Sequence, residues 1–329
     1  MAHRIQAEAY FEEKQVSALS KPLVSIITPC YNGESYLGRY FASILHQTYP
    51  NLELIFINDG SKDRTQEIAE GYRQQLEQRG IHYTLLSQEN AGQAAALNRG
   101  LKLFRGEYLT WPDADDEMTP DCIEKKVAYL QAHPELEMCI CRVEKVLEDN
   151  PDTIVGCFER TEEQKRRNLF EDYLFMRNVY YAPGGYMIRT SVFDEVIPER
   201  EIYPGRGGQN AQVLLPFAYR NRYGYMEDTL YKYYIRKESH SHSVDSSEKI
   251  IKQWELFEKI LLETLSKMPE GVLEEYQNSV RSHYARWCFG NALDTRKPRL
   301  IYRYLKKLSE LRIATASDWF RYIKCIIFK

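Results

Sequence analysis

The feature that most constrains the fold is a repeated alternation of apolar strand and helix between residues 22 and 112. β-Rich runs stand at residues 22–32, 51–61, 81–88 and 107–111, and segments with helical spacing fill the intervals. This alternation is typical of βαβ units, whose parallel strands form a buried sheet covered by helices. We therefore predict an α/β fold with a mostly parallel sheet flanked by helices, followed by a helical C-terminal region.

Polar clusters follow three of these strands. They read Pro-Cys-Tyr-Asn at residues 29–32, Asn-Asp-Gly-Ser at residues 58–61 and Pro-Asp-Ala-Asp-Asp at residues 112–116. In open α/β sheets, ligands bind beyond the carboxyl ends of the strands. The three clusters are therefore predicted to face one ligand-binding crevice.

The third cluster is strongly acidic, since Asp113, Asp115, Asp116 and Glu117 stand within five positions. Carboxylates at this density repel one another unless a cation lies among them or water solvates them. Mg²⁺ and Mn²⁺ prefer carboxylate oxygens and leave coordination places for phosphate. A solvated acidic turn in front of a helix is the alternative, but the position beside two other polar strand ends favours a metal site.

Net charge and missing sequence motifs argue against several classes of function. The net charge of -3 argues against nucleic-acid binding. A Gly-x-Gly-x-x-Gly motif after the first strand and a P-loop motif are both missing, which excludes standard dinucleotide and P-loop sites. Seven irregularly spaced cysteines suggest reduced thiols. With no apolar signal segment and no apolar run of roughly 20 residues, we expect a cytoplasmic protein, at most peripheral on the inner membrane face.

Residues 24–72 and 89–125 together resemble the inverting family 2 glycosyltransferases with the GT-A fold. The similarity is nearly continuous from about Pro22 to Leu130 and weaker to about His242. It implies a nucleotide-diphosphate sugar donor, with a UDP-sugar as first choice, and Mn²⁺ or Mg²⁺ to neutralise the diphosphate as it leaves. The domains expected from it are a polar leader (1–21), a GT-A domain with nucleotide-binding and acceptor halves (22–130 and 131–245) and a helical region (246–329).

The resemblance also assigns nucleotide-binding residues. Pro29, Tyr31 and Glu34 match the family's first nucleotide-contacting segment. Asp59 matches the acid that contacts the base, although it could instead cap the helix predicted near residue 62. Asp113 matches the first acid of the Asp-x-Asp motif and is expected near the ribose.

Metal ligands follow from the same motif. Asp115 is its second acid and is the expected direct ligand. His240 and His242 lie where the family has a loop that closes over the diphosphate, so His240 is a second candidate ligand. A polar surface loop is the alternative explanation for both histidines.

The sequence departs from the family where the general base is expected. Gln209 and Asn210 stand in place of a Glu-Asp pair, and an amide cannot act as a base near neutral pH. The two amides could hold the acceptor by hydrogen bonds, or the acceptor could already be ionised, as a lipid phosphate is. Alternatively, another carboxylate could act as the base, from the set Asp194, Glu195, Glu201 and Asp228.

The function expected from these observations is metal-dependent transfer of a sugar to a saccharide or lipid-linked acceptor, as in surface polysaccharide assembly. One alternative is a catalytically silent nucleotide-sugar-binding module, and another is a polyprenyl-phosphate glycosyltransferase with an ionised acceptor. A sugar-phosphate nucleotidyltransferase would need a basic Gly-rich loop after the first strand, which residues 29–35 lack.

The C-terminal tail from Arg296 onward carries a net charge of +8. An apolar stripe with helical spacing begins at Leu300, and residues 319–328 mix aromatic, aliphatic and basic side chains as interfacial helices do. The tail could pack on the catalytic domain, form a dimer or lie on an anionic membrane. The oligomeric state stays open.

Overall fold

The structure is a computed structural model that describes residues 21–236 and 246–327. Its strands are β1 (Val24–Cys30), β2 (Leu52–Asn58), β3 (His82–Ser87), β4 (Tyr108–Thr110), β5 (Glu117–Met118), β6 (Met138–Leu147), β7 (Asn150–Phe158), β8 (Tyr186–Arg189) and β9 (Tyr223–Ile235). Its α-helices are α1 (Leu37–Leu45), α2 (Thr65–Gly71), α3 (Arg73–Gln78), α4 (Gln93–Leu101), α5 (Cys122–Ala132), α6 (Glu162–Lys165), α7 (Leu169–Leu174), α8 (Phe193–Val196), α9 (Gln209–Tyr219), α10 (Ser247–Ser266), α11 (Val272–Asp294), α12 (Pro298–Glu310) and α13 (Ala316–Ile327).

The described strands form one sheet in the order β3-β2-β1-β4-β8-β6-β9-β5, with β7 paired to β6. The neighbours β3, β2, β1 and β4 run parallel, as the alternating sequence predicts. Every residue of β1 and β2 is buried, which explains why both strands read as continuous apolar runs. In the second half of the sheet, β8 is antiparallel to β4 and β6, and β9 is parallel to β6. The predicted fold class is confirmed.

Two details differ from the sequence pattern: the helical segment after the second strand is divided, and one strand was not predicted. The amphipathic run 62–80 forms two helices, α2 and α3, which meet at Tyr72. Strand β7 was not predicted because most of its residues are exposed and it lacks a buried alternating face. Its large apolar residue Ile154 is 58% exposed. It pairs with β6 as an antiparallel hairpin, with Glu148 and Asp149 between the two strands.

The described residues group into two compact units, one of residues 21–167 with 180–235 and one of residues 168–179 with those from 236 onward. The second unit includes α7 because this short helix packs on α11. Tyr284 Oη donates a hydrogen bond to the carbonyl of Leu174 at 2.9 Å. The division at residues 245 and 246, drawn from the sequence, stays a prediction.

Within the second unit, the apolar stripe of the tail is a packing surface. Ile301, Tyr304, Leu305 and Leu308 of α12 are buried in its core. Basic residues of the same tail pair with acids of α10: Lys297 with Glu248, Arg303 with Glu255 and Lys307 with Glu258. The apolar stripe of α12 and three of the nearby basic residues, which the sequence suggested for lipid binding, therefore make contacts within the second unit instead. Among the described residues, we find no helix with the length and apolarity needed to cross a bilayer.

The contact between α4 and β1 gives a test of the packing. A Cβ at Gly100 would overlap the Cγ2 methyl of Ile27, whereas a Cβ at Gly71 would meet nothing within 4 Å. Both glycines are helical, so alanine improves helix propensity at both. We expect Gly100→Ala to lower stability by about 1–3 kcal/mol through overpacking, and Gly71→Ala to leave it unchanged or raised. Thermal unfolding compares the two, and equal midpoints would contradict the packing argument.

Candidate active site

The loops that follow β1 and β2 are joined side by side. The backbone N–H of Asn32 donates to Ser61 Oγ at 2.9 Å, and the N–H of Lys62 donates to Asn32 Oδ1 at 2.9 Å. The N–H of Arg64 donates to Glu34 Oε2 at 3.1 Å. The Glu34 carboxylate therefore takes part in holding the two loops together.

The other predicted residues of the first loop lie at the carboxyl end of β1. Pro29 is buried within the strand, and the Tyr31 side chain is 43% exposed. The N–H of Asp59 donates to the carbonyl of Cys30 at 2.8 Å, so the first two strands end at the same level. The structure thus brings these residues to one edge of the sheet.

Asp59 is buried, and its carboxylate accepts four hydrogen bonds. Its Oδ1 accepts from Gln88 Nε2 at 2.6 Å and from the N–H of Ala91 at 2.9 Å. Its Oδ2 accepts from the N–H of Gly92 at 2.9 Å and from Asn90 Nδ2 at 3.3 Å. The carboxylate therefore holds the loop after β3, a role that the sequence did not predict, and none of these bonds caps the helix after residue 62.

This loop leads directly to residues 113–116, which we call the acidic segment. Gln93, the first residue of α4, donates from Nε2 to Asp113 Oδ1 at 2.8 Å. A continuous path of contacts therefore connects Asp59, the loop 88–92, Gln93 and Asp113. Gln93 lies within the stretch that resembles family 2, but its position in that stretch did not reveal its contact.

Asp113, Asp115 and Asp116 each offer a carboxylate oxygen within 4.8 Å of the others. Asp116 is buried, and burial, reinforced by the charges of Asp115 and Asp113, raises its pKa well above the ordinary value. Its Oδ1 accepts from the N–H of Tyr234 at 3.0 Å. Its Oδ2 makes no hydrogen bond of ordinary geometry within the described part of the chain, although a weaker interaction of the carboxyl with the Tyr231 hydroxyl works against the raised pKa. A buried acceptor without such a bond, next to two further carboxylates, fits a divalent cation.

Other side chains fix the backbone of the acidic segment. Arg39 Nη2 donates to the carbonyl of Asp115 at 2.6 Å, and its guanidinium lies 3.6 Å from the ring centroid of Tyr234. The N–H of Asp113 donates to Tyr231 Oη at 3.2 Å. Burial, followed by the charges of the acidic cluster, raises the pKa of Tyr231, so this phenol stays neutral. Arg39 and Tyr231 lie on α1 and β9, outside the motifs that the sequence identified.

Gln209 and Asn210 are the first residues of α9, and both are buried. Trp111 Nε1 donates to Asn210 Oδ1 at 3.0 Å, and Asn210 Nδ2 donates to the carbonyl of Tyr181 at 3.0 Å. Trp111 directly follows β4, and only Pro112 separates it from Asp113. The structure thus joins Asn210 to the strand end that carries the acidic residues.

The carboxylates considered as substitute bases are all in ion pairs. Hydrogen bonding by Arg200 is the main cause that lowers the pKa of Asp194, against the effect of burial, and a lower pKa makes a weaker base. The pairs are Asp194 with Arg200 at 2.6 Å, Glu195 with Arg220 at 2.8 Å, Glu201 with Lys102 at 2.6 Å and Asp228 with Lys125 at 2.8 Å. The candidate metal ligand His240 lies outside the described residues.

The fold is of the GT-A type found in solved glycosyltransferases. Residues 1–349 of S. aureus TarS, solved in complex with UDP-GlcNAc, share 18% identity with this chain at a TM-score of 0.60, covering 92% of this chain and 90% of that one. The mannosyltransferase PcManGT from Pyrobaculum calidifontis, solved with GDP-Man and Mn²⁺, shares 17% identity at a TM-score of 0.52, covering 96% and 85%.

The model of the family "Glycosyl transferase family 2" matches residues 25–197, more than half of the chain, and the chain therefore belongs to that family. An uncharacterized glycosyltransferase of Rickettsia typhi is 38% identical over 149 residues, which are 45% of this chain and 40% of that protein. The putative glycosyltransferase EpsH of Bacillus subtilis is 28% identical over 226 residues, 67% and 63% of the two chains. The chain thus spans less than two thirds of the length of these relatives.

The contacts of Asp59 predict the effect of its amide variant. In Asp59→Asn, an NH₂ group replaces one oxygen that accepts from the backbone, so the N–H of Ala91 or of Gly92 loses its charged partner. We expect a loss of about 1–3 kcal/mol of stability and faster hydrogen exchange at Ala91 and Gly92. Asp152→Asn, at an exposed position on β7, is the matched control. Unchanged exchange in Asp59→Asn would show that the carboxylate does not hold the loop.

Proposed function

We propose that this protein is a metal-dependent glycosyltransferase that moves one sugar from a nucleotide-diphosphate sugar to a saccharide or lipid-linked acceptor. The observation that carries the proposal is the path of contacts from Asp59, the candidate base-contacting acid, to Asp113 in the acidic cluster through Gln93. A nucleotide and its diphosphate would extend along this path. The solved neighbours in complex with UDP-GlcNAc, and with GDP-Man and Mn²⁺, support the same donor class, and we favour a UDP-sugar.

In this proposal, Asp115 and Asp116 would hold Mn²⁺ or Mg²⁺, with Asp113 between the metal and the ribose. The buried Asp116 Oδ2, which makes no hydrogen bond of ordinary geometry among the described residues, is the observation that favours a cation. When bound, the ion would neutralise the negative charge that develops on the departing diphosphate. Gln93 would orient Asp113, and Arg39 would fix the backbone at Asp115.

Two observations bear on the acceptor. Asn210 cannot take a proton from a hydroxyl near neutral pH, and the other candidate carboxylates are in ion pairs. An acceptor whose oxygen is already ionised, such as a polyprenyl phosphate, would need no base. The same amide supports the second candidate, a silent nucleotide-sugar-binding module. Incubating the protein with a panel of sugar nucleotides and Mn²⁺ separates the two, because only an enzyme breaks the sugar–phosphate bond and releases nucleoside diphosphate, with water taking the sugar when no acceptor is supplied. Surface polysaccharide assembly would suit either kind of acceptor.

The metal requirement can be tested without an acceptor. We expect calorimetry to show UDP binding at least about tenfold tighter with Mn²⁺ than with a chelator, a difference of about 1.4 kcal/mol. Asp115→Ala should remove the metal-dependent part, because one fewer carboxylate then binds the ion. Asp152→Ala, which removes an exposed carboxylate from β7, should bind like the unaltered protein. Equal affinity of the unaltered protein with and without Mn²⁺ would contradict the proposal.

We further propose that the protein is cytoplasmic and peripheral on an anionic membrane, through the outer face of α13. Tyr322 and Cys325 pack on the core of the second unit. Apolar side chains elsewhere on this helix are exposed: Trp319, Phe320, Ile323, Ile326 and Ile327. The exposed bases Arg321 and Lys324 lie beside them. Exposed apolar residues interleaved with bases are typical of helices that lie at a lipid surface.

Phe320→Glu tests this face, because a carboxylate at a 67% exposed apolar position would oppose insertion among anionic lipids. We expect co-sedimentation with acidic vesicles at low salt to fall clearly, while Ile154→Glu, at a 58% exposed position on β7, binds as the unaltered protein does. Binding should also weaken as salt rises, since each base near the surface contributes about 1 kcal/mol. If the unaltered protein does not bind acidic vesicles at low salt, the proposal that α13 binds a membrane is wrong.

A further inference from the structure

The orientation of the Asn210 side chain is fixed by the chemistry of its two partners. The indole N–H of Trp111 can only donate, so it must face Asn210 Oδ1, at 3.0 Å. The carbonyl of Tyr181 can only accept, so it must face Nδ2, also at 3.0 Å. Both ends of the amide are therefore engaged, and only a group with one acceptor and one donor satisfies both partners.

An ionised carboxylate would not fit this position. It would keep the bond from Trp111, but its second oxygen would lie about 3 Å from the Tyr181 carbonyl oxygen with no hydrogen between them. Asn210 is only 8% exposed, so water could not easily relieve that repulsion. The surroundings of Asn210 thus select an amide and disfavour the acid that family resemblance leads one to expect there.

Both partners of Asn210 lead to the acidic segment. Trp111 is followed by Pro112, whose carbonyl accepts from Thr28 Oγ1 at 3.1 Å, and then by Asp113. From Tyr181 the chain continues to Gly184, where a Cβ would overlap the Tyr231 ring. The hydroxyl of that ring accepts from the N–H of Asp113 at 3.2 Å. The amide bridge therefore closes a ring of contacts around the backbone of Asp113.

We infer that Asn210 is a positioning residue, whose amide links Trp111 to Tyr181 and so holds the acidic segment in place, and that it does not take part in proton transfer. This inference rests on the proposed function for the reaction it serves. The bridge itself involves only Asn210, Trp111 and Tyr181. It is therefore tested with a readout that does not depend on turnover.

The first experiment measures stability against pH in Asn210→Asp. The introduced carboxyl can replace the amide only when protonated, because its O–H then donates to the Tyr181 carbonyl. Its pKa in the folded state should therefore lie above the unfolded value of about 3.9. Stability is then retained near that value and is lost as pH rises toward the folded pKa. We expect the difference in thermal midpoint between the variant and the unaltered protein to widen from pH 5 to pH 8.

Two further amides calibrate this measurement. Gln212, also in α9, accepts from the N–H of Tyr203 at 2.7 Å and donates to its carbonyl at 3.0 Å, so Gln212→Glu should show the same widening. Gln75 is exposed in α3, so Gln75→Glu should show none. The indole N–H signal of Trp111, assigned in NMR spectra with Trp111→Phe, should shift in Asn210→Asp and not in Gln75→Glu. A pH-independent midpoint difference in Asn210→Asp, with the Gln212→Glu difference widening, would overturn the inference.

The second experiment follows nucleoside diphosphate release by Asn210→Asp across the same pH range. A positioning amide predicts that the variant loses activity relative to the unaltered protein as pH rises, because the ionised carboxyl breaks the bridge. A base position predicts the opposite, a relative gain with rising pH as the carboxylate forms, and that result would also overturn the inference. If the unaltered protein releases no nucleoside diphosphate, the proposed function fails, while the stability and NMR measurements still decide on the bridge.

Discussion

The site depends on the parallel alignment of β1 with β2 and β4. Cys30 pairs with Asn58 in register, so β1 and β2 end at the same level. Strand β4 ends beside Ile26, and the chain after it continues along β1, where Thr28 Oγ1 donates to the carbonyl of Pro112 at 3.1 Å. Side chains that are far apart in sequence must therefore meet there, whatever their chemistry. The loops beyond this edge are then fixed by polar contacts: Asp59 accepts hydrogen bonds from the loop after β3, and Gln93 extends that loop to Asp113.

The acidic segment places like charges close together. Side chains from other elements hold it in place through hydrogen bonds to its backbone. Arg39 donates to the Asp115 carbonyl, and the Tyr231 hydroxyl accepts from the Asp113 N–H. These contacts fix the path of the chain at Asp113 and Asp115. Asp116 remains buried, and one of its oxygens makes no hydrogen bond of ordinary geometry to any described residue. A buried acceptor of this kind costs stability, and a divalent cation would satisfy it.

Two features could be predicted from the sequence: the strands, from hydrophobic periodicity, and the clustering of polar residues, from their position at strand ends. The parallel half of the sheet followed from apolar runs, and the proximity of Asp59 to the acidic segment followed from the strand ends. Trp111 and Arg39 were missed because an aromatic or basic residue in a strand or helix carries no mark of its tertiary partner. The stripe at Leu300 was recognised as a helical face, but whether core or lipid covers a face cannot be read from its spacing.

The amide at residue 210 shows why a motif position must be interpreted through its contacts. From sequence alone, Asn210 is a lost acid, and loss of the acid suggests loss of catalysis. In the structure, the same side chain satisfies a donor in Trp111 and an acceptor in Tyr181, which an ionised acid could not do together. The residue that stands in place of the family's acid therefore has a bonding role of its own, which links the strand end before the acidic residues to the chain at Tyr181.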